Sequence, residues 1–517
     1  MVLKILGATL NAVLPSNYYK HAAAVVVGTV VIRAFAQGRT TDRERDLHAR
    51  TVLLTGGFTP LGLTLAQQLA QRGAHLILLS SEPINSPRVE LLVELLRTQT
   101  SNDQIFADEC DLKSPASIKA FCTKFLTGNE TRLDAIVFAH EYQHIGAVLG
   151  STDETRRQDE KEREAGSMAT FLITTLLLPA LLVAPVERDI RIVNVVNPFY
   201  AAAAPHYSPM SSLPLAPSPP HSSPTSSHAI PTPPSPASSS VYILEGHRAL
   251  RTAILTRHLQ RILDALPNRS APPPTESESS TIPVVSGQAQ RSNIVAVSVS
   301  PGISRSDTVS RILGADRDSA TTFSWLGLLI YILLQPVLFI FTKSSSVALQ
   351  SVLHVLFLPT PFKSLENAST GPTSLVPKRR GEEILKPGAL YADCSVVRVQ
   401  VPTPPTTDDP SADAPSSDPT PAPAPTTAPE KPTSDSNVDP KSGLQSIPDD
   451  HEYGGELVGR LTWESFEQQL RDWERTNPEP APHHTPAPQT SEKGAIPSTP
   501  PQTAPVELEE EGADVYH

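Results

Sequence analysis

Cysteine is scarce in this chain. Cys110, Cys122 and Cys394 are the three in 517 residues, and none has the paired spacing of a metal site. A disulfide-stapled scaffold and a thiolate metal centre are both argued against, so the thiols read as small apolar side chains in a reducing compartment. Acidic residues are missing from the first 41 positions, where Lys4, Lys20, Arg33 and Arg39 carry the charge around the apolar run Ala22–Ile32. That run is short for a span of ~20 residues, leaving an amphipathic presequence, a short signal anchor and a packed N-terminal helix open. Proline, by contrast, is abundant: 53 residues, crowded into Pro198–Pro236 and Pro402–Pro505 among Ser, Thr and Ala. Such tracts hold too little apolar surface to offset ordering entropy, so they are expected to be disordered. The net charge of -12 comes largely from the C-terminal tail, including Glu509–Glu511, and nucleic acid is not an expected partner.

Between the tracts, short apolar runs alternate with helical patterns. Strands are expected at Thr51–Leu54, Ala74–Leu79, Gln104–Ala107, Ala135–Ala139, Arg191–Val196, Asn293–Val299 and Leu390–Val399. Helices are expected at Leu61–Ala70, Val89–Leu96, Ser117–Leu126, Met168–Leu182, Leu244–Leu266 and Ser344–Leu358. This alternation is that of an α/β fold, a doubly wound parallel sheet. Expected boundaries are 1–48 for a targeting or anchoring segment, 49–400 for the domain and 401–517 for the tail. The domain is interrupted by a disordered insertion at 198–240 and an apolar segment at 323–341.

Four pieces carry chemistry in a fixed order. They are Thr55-Gly56-Gly57-Phe58-Thr59-Pro60-Leu61-Gly62 after the first strand, Cys110-Asp111-Leu112 after the third, Arg191-Ile192-Val193-Asn194-Val195 at the fifth and Val299-Ser300-Pro301-Gly302 at the sixth. In this order the chain resembles the short-chain dehydrogenase/reductase superfamily, and within it a divergent fungal branch of oxidoreductases of unknown function. The resemblance implies a Rossmann-type domain binding NAD or NADP through Thr55, Gly56, Gly57, Gly62, Ser80, Asp111, Pro301 and Gly302. Glycines let the backbone approach a pyrophosphate, and the next helix presents free N–H groups to it. The family's middle glycine is here Pro60, which has no N–H to donate. Ser80 and Ser81 stand where an acidic or basic residue would choose between the two cofactors.

Family enzymes use a Tyr acid, a Lys four residues later, a Ser and an Asn. No Tyr of this chain has a Lys four residues on. The candidate catalytic set is Tyr242 as acid, Arg248 as its electrostatic helper and Asn197 in the Ser slot. If the helix is instead registered on Leu255-Thr256-Arg257, the Tyr and Lys slots fall near Glu245 and Ala249. The Asn slot falls near Gly166, and Phe138-Ala139-His140-Glu141 replaces the family's Asn-Asn-Ala-Gly. His140, Glu141 and His144 are close enough to suggest a metal, but no further ligand is evident and none is expected.

Two functions follow: an NAD(P)-dependent oxidoreductase of a lipid-like substrate at a membrane, or a catalytically inactive Rossmann module serving as nucleotide sensor or scaffold. Phe323–Phe341 has no charge. Because it interrupts one sheet it is expected to form two arms bent at Pro336, in one leaflet or over the cleft, with Lys343 reaching to headgroups. The expected location is a membrane, the endoplasmic reticulum before the mitochondrion, with the domain facing a reducing compartment. Within the tail, Trp463, Phe466, Leu470 and Trp473 form one stripe of a helix at 462–475, expected to dock on the domain or on a protein partner.

Overall fold

Strands covered on both faces by helices are expected to be largely apolar, as Thr51–Thr55, His75–Ser80 and Ala135–Phe138 are. A computed structural model describes residues 19–128, 132–148, 153–185, 188–207, 241–266, 293–316, 323–361, 383–402 and 452–478. The expectations for residues 1–18, the Pro/Ser-rich insertion beyond 207 and the tail beyond 402, apart from 452–478, lie outside the described residues. The strands are β1 (Thr51–Thr55), β2 (His75–Ser80), β3 (Ile105–Glu109), β4 (Ala135–Phe138), β5 (Ile190–Val195), β6 (Ile294–Ser300), β7 (Leu390–Ala392) and β8 (Ser395–Val397). They form one sheet in the order β3-β2-β1-β4-β5-β6-β7-β8, with the strands from β3 to β7 parallel. The fold is therefore the expected doubly wound, Rossmann-like α/β sheet. Strand order reverses between β1 and β4, which opens a crevice at their carboxyl ends.

The helices are α1 (Tyr19–Gln37), α2 (Pro60–Ala70), α3 (Pro87–Thr100), α4 (Pro115–Thr127), α5 (Asp153–Val183), α6 (Val241–Ala265), α7 (Trp325–Phe341), α8 (Ser345–Phe357) and α9 (Gly455–Thr476). Leu61, Leu65 and Leu69 of α2, Val89 and Val93 of α3 and Leu349 and Val352 of α8 fill the core on one face of the sheet. Phe121 of α4, Leu172 and Ile173 of α5 and Leu259 and Leu263 of α6 fill it on the other. One helix among the described residues, Glu154–Val183, is long and apolar enough to cross a membrane, but its apolar window is 61% buried in the domain, as a core helix is.

Several expectations need correction. The closing strand Leu390–Val399 is a hairpin, β7 pairing antiparallel with β8, because Asp393 and Cys394 take left-handed backbone at φ 49° and 56°. The stretch from 198 to 207 is ordered, since Tyr200 and Tyr207 bury their rings beside Leu250 and Ile254. α7 is one continuous helix through Pro336, not two arms: one missing donor does not stop a helix whose start is capped by Ser324, its hydroxyl accepting from Gly327 N at 3.3 Å. Lys343 does not reach outward. It is buried, donating to Pro301 O at 3.1 Å and pairing with Asp393.

Both ends of the chain's described part pack on the domain. α1 lies along α7, where Arg33 stacks on the Phe339 ring at 3.7 Å and donates to the Phe339 carbonyl, one of the last carbonyls of α7 that no helical N–H reaches. Beyond α1, Arg45 pairs with Asp189 at 2.9 Å and Leu47 enters the core. α9 begins earlier than residue 462, after Gly454 and Gly455 turn the chain at φ 82° and 81°. It lies on α5 and α6, with Phe466 fully buried and Trp463 edge-on to Phe171 at 5.0 Å.

Candidate functional site

The turn after β1 is shaped by glycine where side chains cannot go. Gly56 has φ 67°, and a Cβ there would stand 2.7 Å from His140 N; a Cβ on Gly62 would stand 2.0 Å from Gly56 O. Thr59 is the N-cap of α2, accepting from Gly62 N at 3.0 Å and donating to Gly56 O at 2.7 Å. Pro60 is the first helical residue, a position where its missing N–H is no loss. The expected binding residues Thr55, Gly56, Gly57, Gly62, Ser80, Asp111, Pro301 and Gly302 do gather at the carboxyl ends of the strands or just beyond them.

Several of their polar atoms, however, are already engaged. Ser80 Oγ accepts from Glu82 N at 3.0 Å, and Asp111 Oδ1 accepts from Lys113 N at 3.0 Å. Tyr142 donates to Gly302 O at 2.7 Å. At the start of α2, Leu63 N donates to Thr59 O at 2.7 Å and Leu61 N donates to the carboxylate of Asp307 at 3.0 Å. Asp307 is fully buried on a π-helical turn, Arg305–Val309, and also accepts from Gln143 Nε2, Ser304 Oγ and Ser306 Oγ, each at 2.8 Å. Pro60 offers no N–H, and the next three are all taken. At the start of α2 itself a pyrophosphate would therefore meet engaged donors and the Asp307 carboxylate. Asp307 escaped the motif reading because it belongs to no local pattern, although a lone acid among Ser304, Ser306 and Ser310 was a visible signal.

The catalytic slots are likewise consumed. Asn197, buried, donates to Glu245 O at 3.1 Å and accepts from Phe199 N at 3.1 Å. Glu245 is fully buried and pairs with Arg163 at 3.0 Å and with Arg248, while Gly146 N donates to it at 3.2 Å. The structure does not bring Tyr242 and Arg248 together: Tyr242 is exposed against the Phe199 ring at 5.2 Å, and Arg248 turns to Glu245. The alternative register, with Glu245 and Ala249 in the Tyr and Lys slots, is the one the buried network occupies.

Below this, His140 accepts from or donates to Thr55 at 2.7 Å through Nδ1, while Nε2 lies 3.0 Å from Gly166 O. A carbonyl only accepts, which puts the imidazole proton on Nε2 and makes Nδ1 the acceptor. Burial holds the His140 pKa below its usual value, and that of His144 well below, the latter also opposed by His140 and Arg311. Gly166 carries no side chain for good reason, since a Cβ would stand 2.1 Å from the His144 ring. Glu141 accepts from Thr170 and, at 2.8 Å, from Thr252, tying β4 to α5 and α6. Among the described residues, no group of three or more His, Cys, Asp or Glu lies placed to hold a metal.

These features define a Rossmann-like α/β sheet whose chemical positions depart from the short-chain dehydrogenase/reductase pattern. The family model for the KR domain matches residues 50–158. The chain is 32% identical over 203 residues to "Uncharacterized oxidoreductase YNL181W" of Saccharomyces cerevisiae, covering 37% of this chain and 49% of that protein. It is 30% identical over 177 residues to "Uncharacterized oxidoreductase pbr1" of Schizosaccharomyces pombe (33% and 45% covered) and 28% identical over 175 residues to mouse "Retinol dehydrogenase 13" (34% and 49%). It thus spans about half the length of the curated relatives it matches. Among solved structures, a short-chain dehydrogenase from Salmonella enterica is similar at 13% identity and a TM-score of 0.37, covering 68% of this chain and 99% of that one. Another, from Sphingobium yanoikuyae in complex with NADPH, gives 15% and 0.34, covering 64% and 98%. The chain is thus a divergent short-chain dehydrogenase/reductase-like protein, similar over part of its length to two fungal oxidoreductases.

Proposed function

We propose that this chain is a nucleotide-responsive module of the short-chain dehydrogenase/reductase type, seated on a membrane surface, in which hydride chemistry by a Tyr–Lys pair has been given up. The observation that carries the reading is Glu245, locked between Arg163 and Arg248 where the family places its acid and base. A fully buried carboxylate with two guanidinium partners is a structural ion cluster with no face turned to a substrate. Membrane seating is supported by α1 and α7. Trp325, Leu329 and Leu333 are 74%, 65% and 78% exposed, and Val26 and Val30 of α1 are each 61% exposed. Apolar surface of this extent on adjoining helices marks an interaction site, and uncharged α7 suits lipid. The packing of α1 on α7 supports an anchor that is part of the fold, and with it the endoplasmic reticulum over the mitochondrion.

A second reading, an NAD(P)-dependent oxidoreductase of a lipid-like carbonyl or alcohol, is favoured by the retinol dehydrogenase among the relatives and by the apolar α7 beside the strand ends. Titration of the purified protein with NADH and NADPH, followed by ligand fluorescence, separates the two when coupled to a panel of retinoid, sterol and fatty aldehyde substrates. Binding without turnover is expected. Turnover of any substrate would overturn the first reading in favour of the second, and no binding at millimolar cofactor would remove both.

A further inference from the structure

We infer that the face formed by α1 and α7 selects bilayers that contain anionic phospholipid, and that Arg33 and Arg305 hold a headgroup phosphate beside Phe339. The inference rests on the membrane seating proposed above and adds to it the charge class of the lipid. Acidic residues are absent from 1–41 and again from 319–365, in a chain that carries 54 of them. Those two stretches contain α1 and α7, the helices that expose Val26, Val30, Leu329 and Leu333. With a net charge of -12 the chain as a whole is repelled by an anionic surface, so its approach to one depends on where its cations stand.

α1 and α7 run side by side with their carboxyl ends together: Arg33 donates to the Phe339 carbonyl, and Gln37 Nε2 donates to Thr342 O at 3.4 Å. At this end two guanidiniums converge on one ring, Arg33 at 3.7 Å from the Phe339 centroid and Arg305 at 5.5 Å. Neither pairs with a carboxylate among the described residues. The neighbouring carboxylates are spent elsewhere. Asp307, two residues after Arg305, accepts from Leu61 N and Gln143, while Asp393, beside Gly38, pairs with Lys343. Arg33 spends one donor on the Phe339 carbonyl and the Arg305 side chain donates to no described residue, so both forks keep uncommitted N–H groups. Two like charges gathered at one ring repel each other, and a bound anion relieves that repulsion. Guanidinium forks match the paired oxygens of a phosphate. Phe339, 49% exposed, sets the depth: an in-plane helix buries its apolar side to the boundary of acyl chains and headgroups, where the phosphates lie.

The test is flotation of the full chain with vesicles of phosphatidylcholine alone and of phosphatidylcholine mixed with phosphatidylserine. Partition into the mixed vesicles should be stronger by about thirtyfold, the worth of two cations near an anionic surface, or about 2 kcal/mol at 1.4 per factor of ten. Arg33→Gln/Arg305→Gln should remove most of that difference and leave binding to phosphatidylcholine unchanged. Arg305→Gln alone should lower it about fivefold. Because that side chain makes no described hydrogen bond, the single variant also serves if loss of the Arg33 contact to α7 unfolds the double one. Equal partition of the unaltered chain into both vesicles would overturn the inference and leave membrane seating standing. An undiminished difference in Arg305→Gln would equally overturn it, assigning the preference to other cations. Absence of flotation with either vesicle would overturn the inference together with the reading beneath it, and the exposed face would then belong to a protein partner.

Discussion

At the scale of single residues, burial sets the terms. Glu245 has no exposed surface, and Arg163 and Arg248 around it retain 12% and 9% of side-chain exposure. Removing one member of such a cluster leaves buried charge uncompensated, at a cost of ~3–5 kcal/mol. Glu245→Gln should therefore lower the urea midpoint by an amount corresponding to a loss of that size, whereas Tyr242→Phe should leave it unchanged. Equal midpoints for Glu245→Gln and the parent would refute the cluster. The sequence made the turn after β1 legible because Thr55, Gly56 and Gly62 belong to one short motif whose reasons are local. It left the other slots ambiguous for a geometric reason. Residues six apart on a helix are rotated by roughly 240°, so Tyr242 and Arg248 were never able to share a face. Asp307 at α2, and Glu141 between Thr170 and Thr252, join segments far apart in sequence and leave no trace in any window. Burial also pushes the thiols of Cys110 and Cys122 up to about 12, consistent with their reading as apolar fillers.

At the scale of elements, strands and helices declared themselves by period, while turns without glycine did not. Asp393-Cys394 gave no hairpin signal, so β7 and β8 read as one strand. The stripe on α9 was plain from Trp463, Phe466 and Leu470, and its partner is α6. There His258 faces Trp463 at 5.9 Å and Gly459, where a Cβ would stand 2.8 Å from Nδ1. Burial, with Arg261 of α6 and Arg460 of α9 adding repulsion, lowers the His258 pKa from 6.5 to about 4. Above pH 6.5 the imidazole is neutral whether α9 is docked or not, and the contact is fully stable. As pH falls toward 4 only the undocked or unfolded form takes up the proton, so stability is lost across that interval. Tryptophan emission should accordingly shift to the red between pH 6.5 and 4 as Trp463 and Trp473 leave α6 and α5. His258→Asn, which cannot be protonated, should move the transition to lower pH; a transition at the same pH in both proteins would assign it to other groups.

At the scale of the whole molecule, both ends of α7 are fastened to the segment that follows β6. Before it, Ser324 N donates to Gly314 O at 2.8 Å; after it, Lys343 N donates to Ile303 O at 3.0 Å and Arg305 N to Lys343 O at 3.0 Å. Both ends are thus fastened to residues between Ile303 and Gly314, and a crossing would put β6 and β7 on opposite sides of a membrane. With 17 residues at 1.5 Å each, α7 is about 26 Å long, enough to lie in one leaflet as an in-plane helix. Leu326, Leu329, Leu333 and Val337 recur at helical spacing on its exposed side. Replacing Leu329, Ile332 and Leu333 together by serine changes only exposed positions, so each should alter stability by no more than ~0.5 kcal/mol. In a leaflet those same side chains contribute on the order of 1.5 kcal/mol apiece even when partly inserted. Flotation with phosphatidylcholine vesicles should therefore fall by about a thousandfold in partition coefficient, at roughly 1.4 kcal/mol per factor of ten, while the melting temperature holds. Unchanged flotation would transfer the membrane contact to α1 alone and leave the apolar side of α7 to a protein partner.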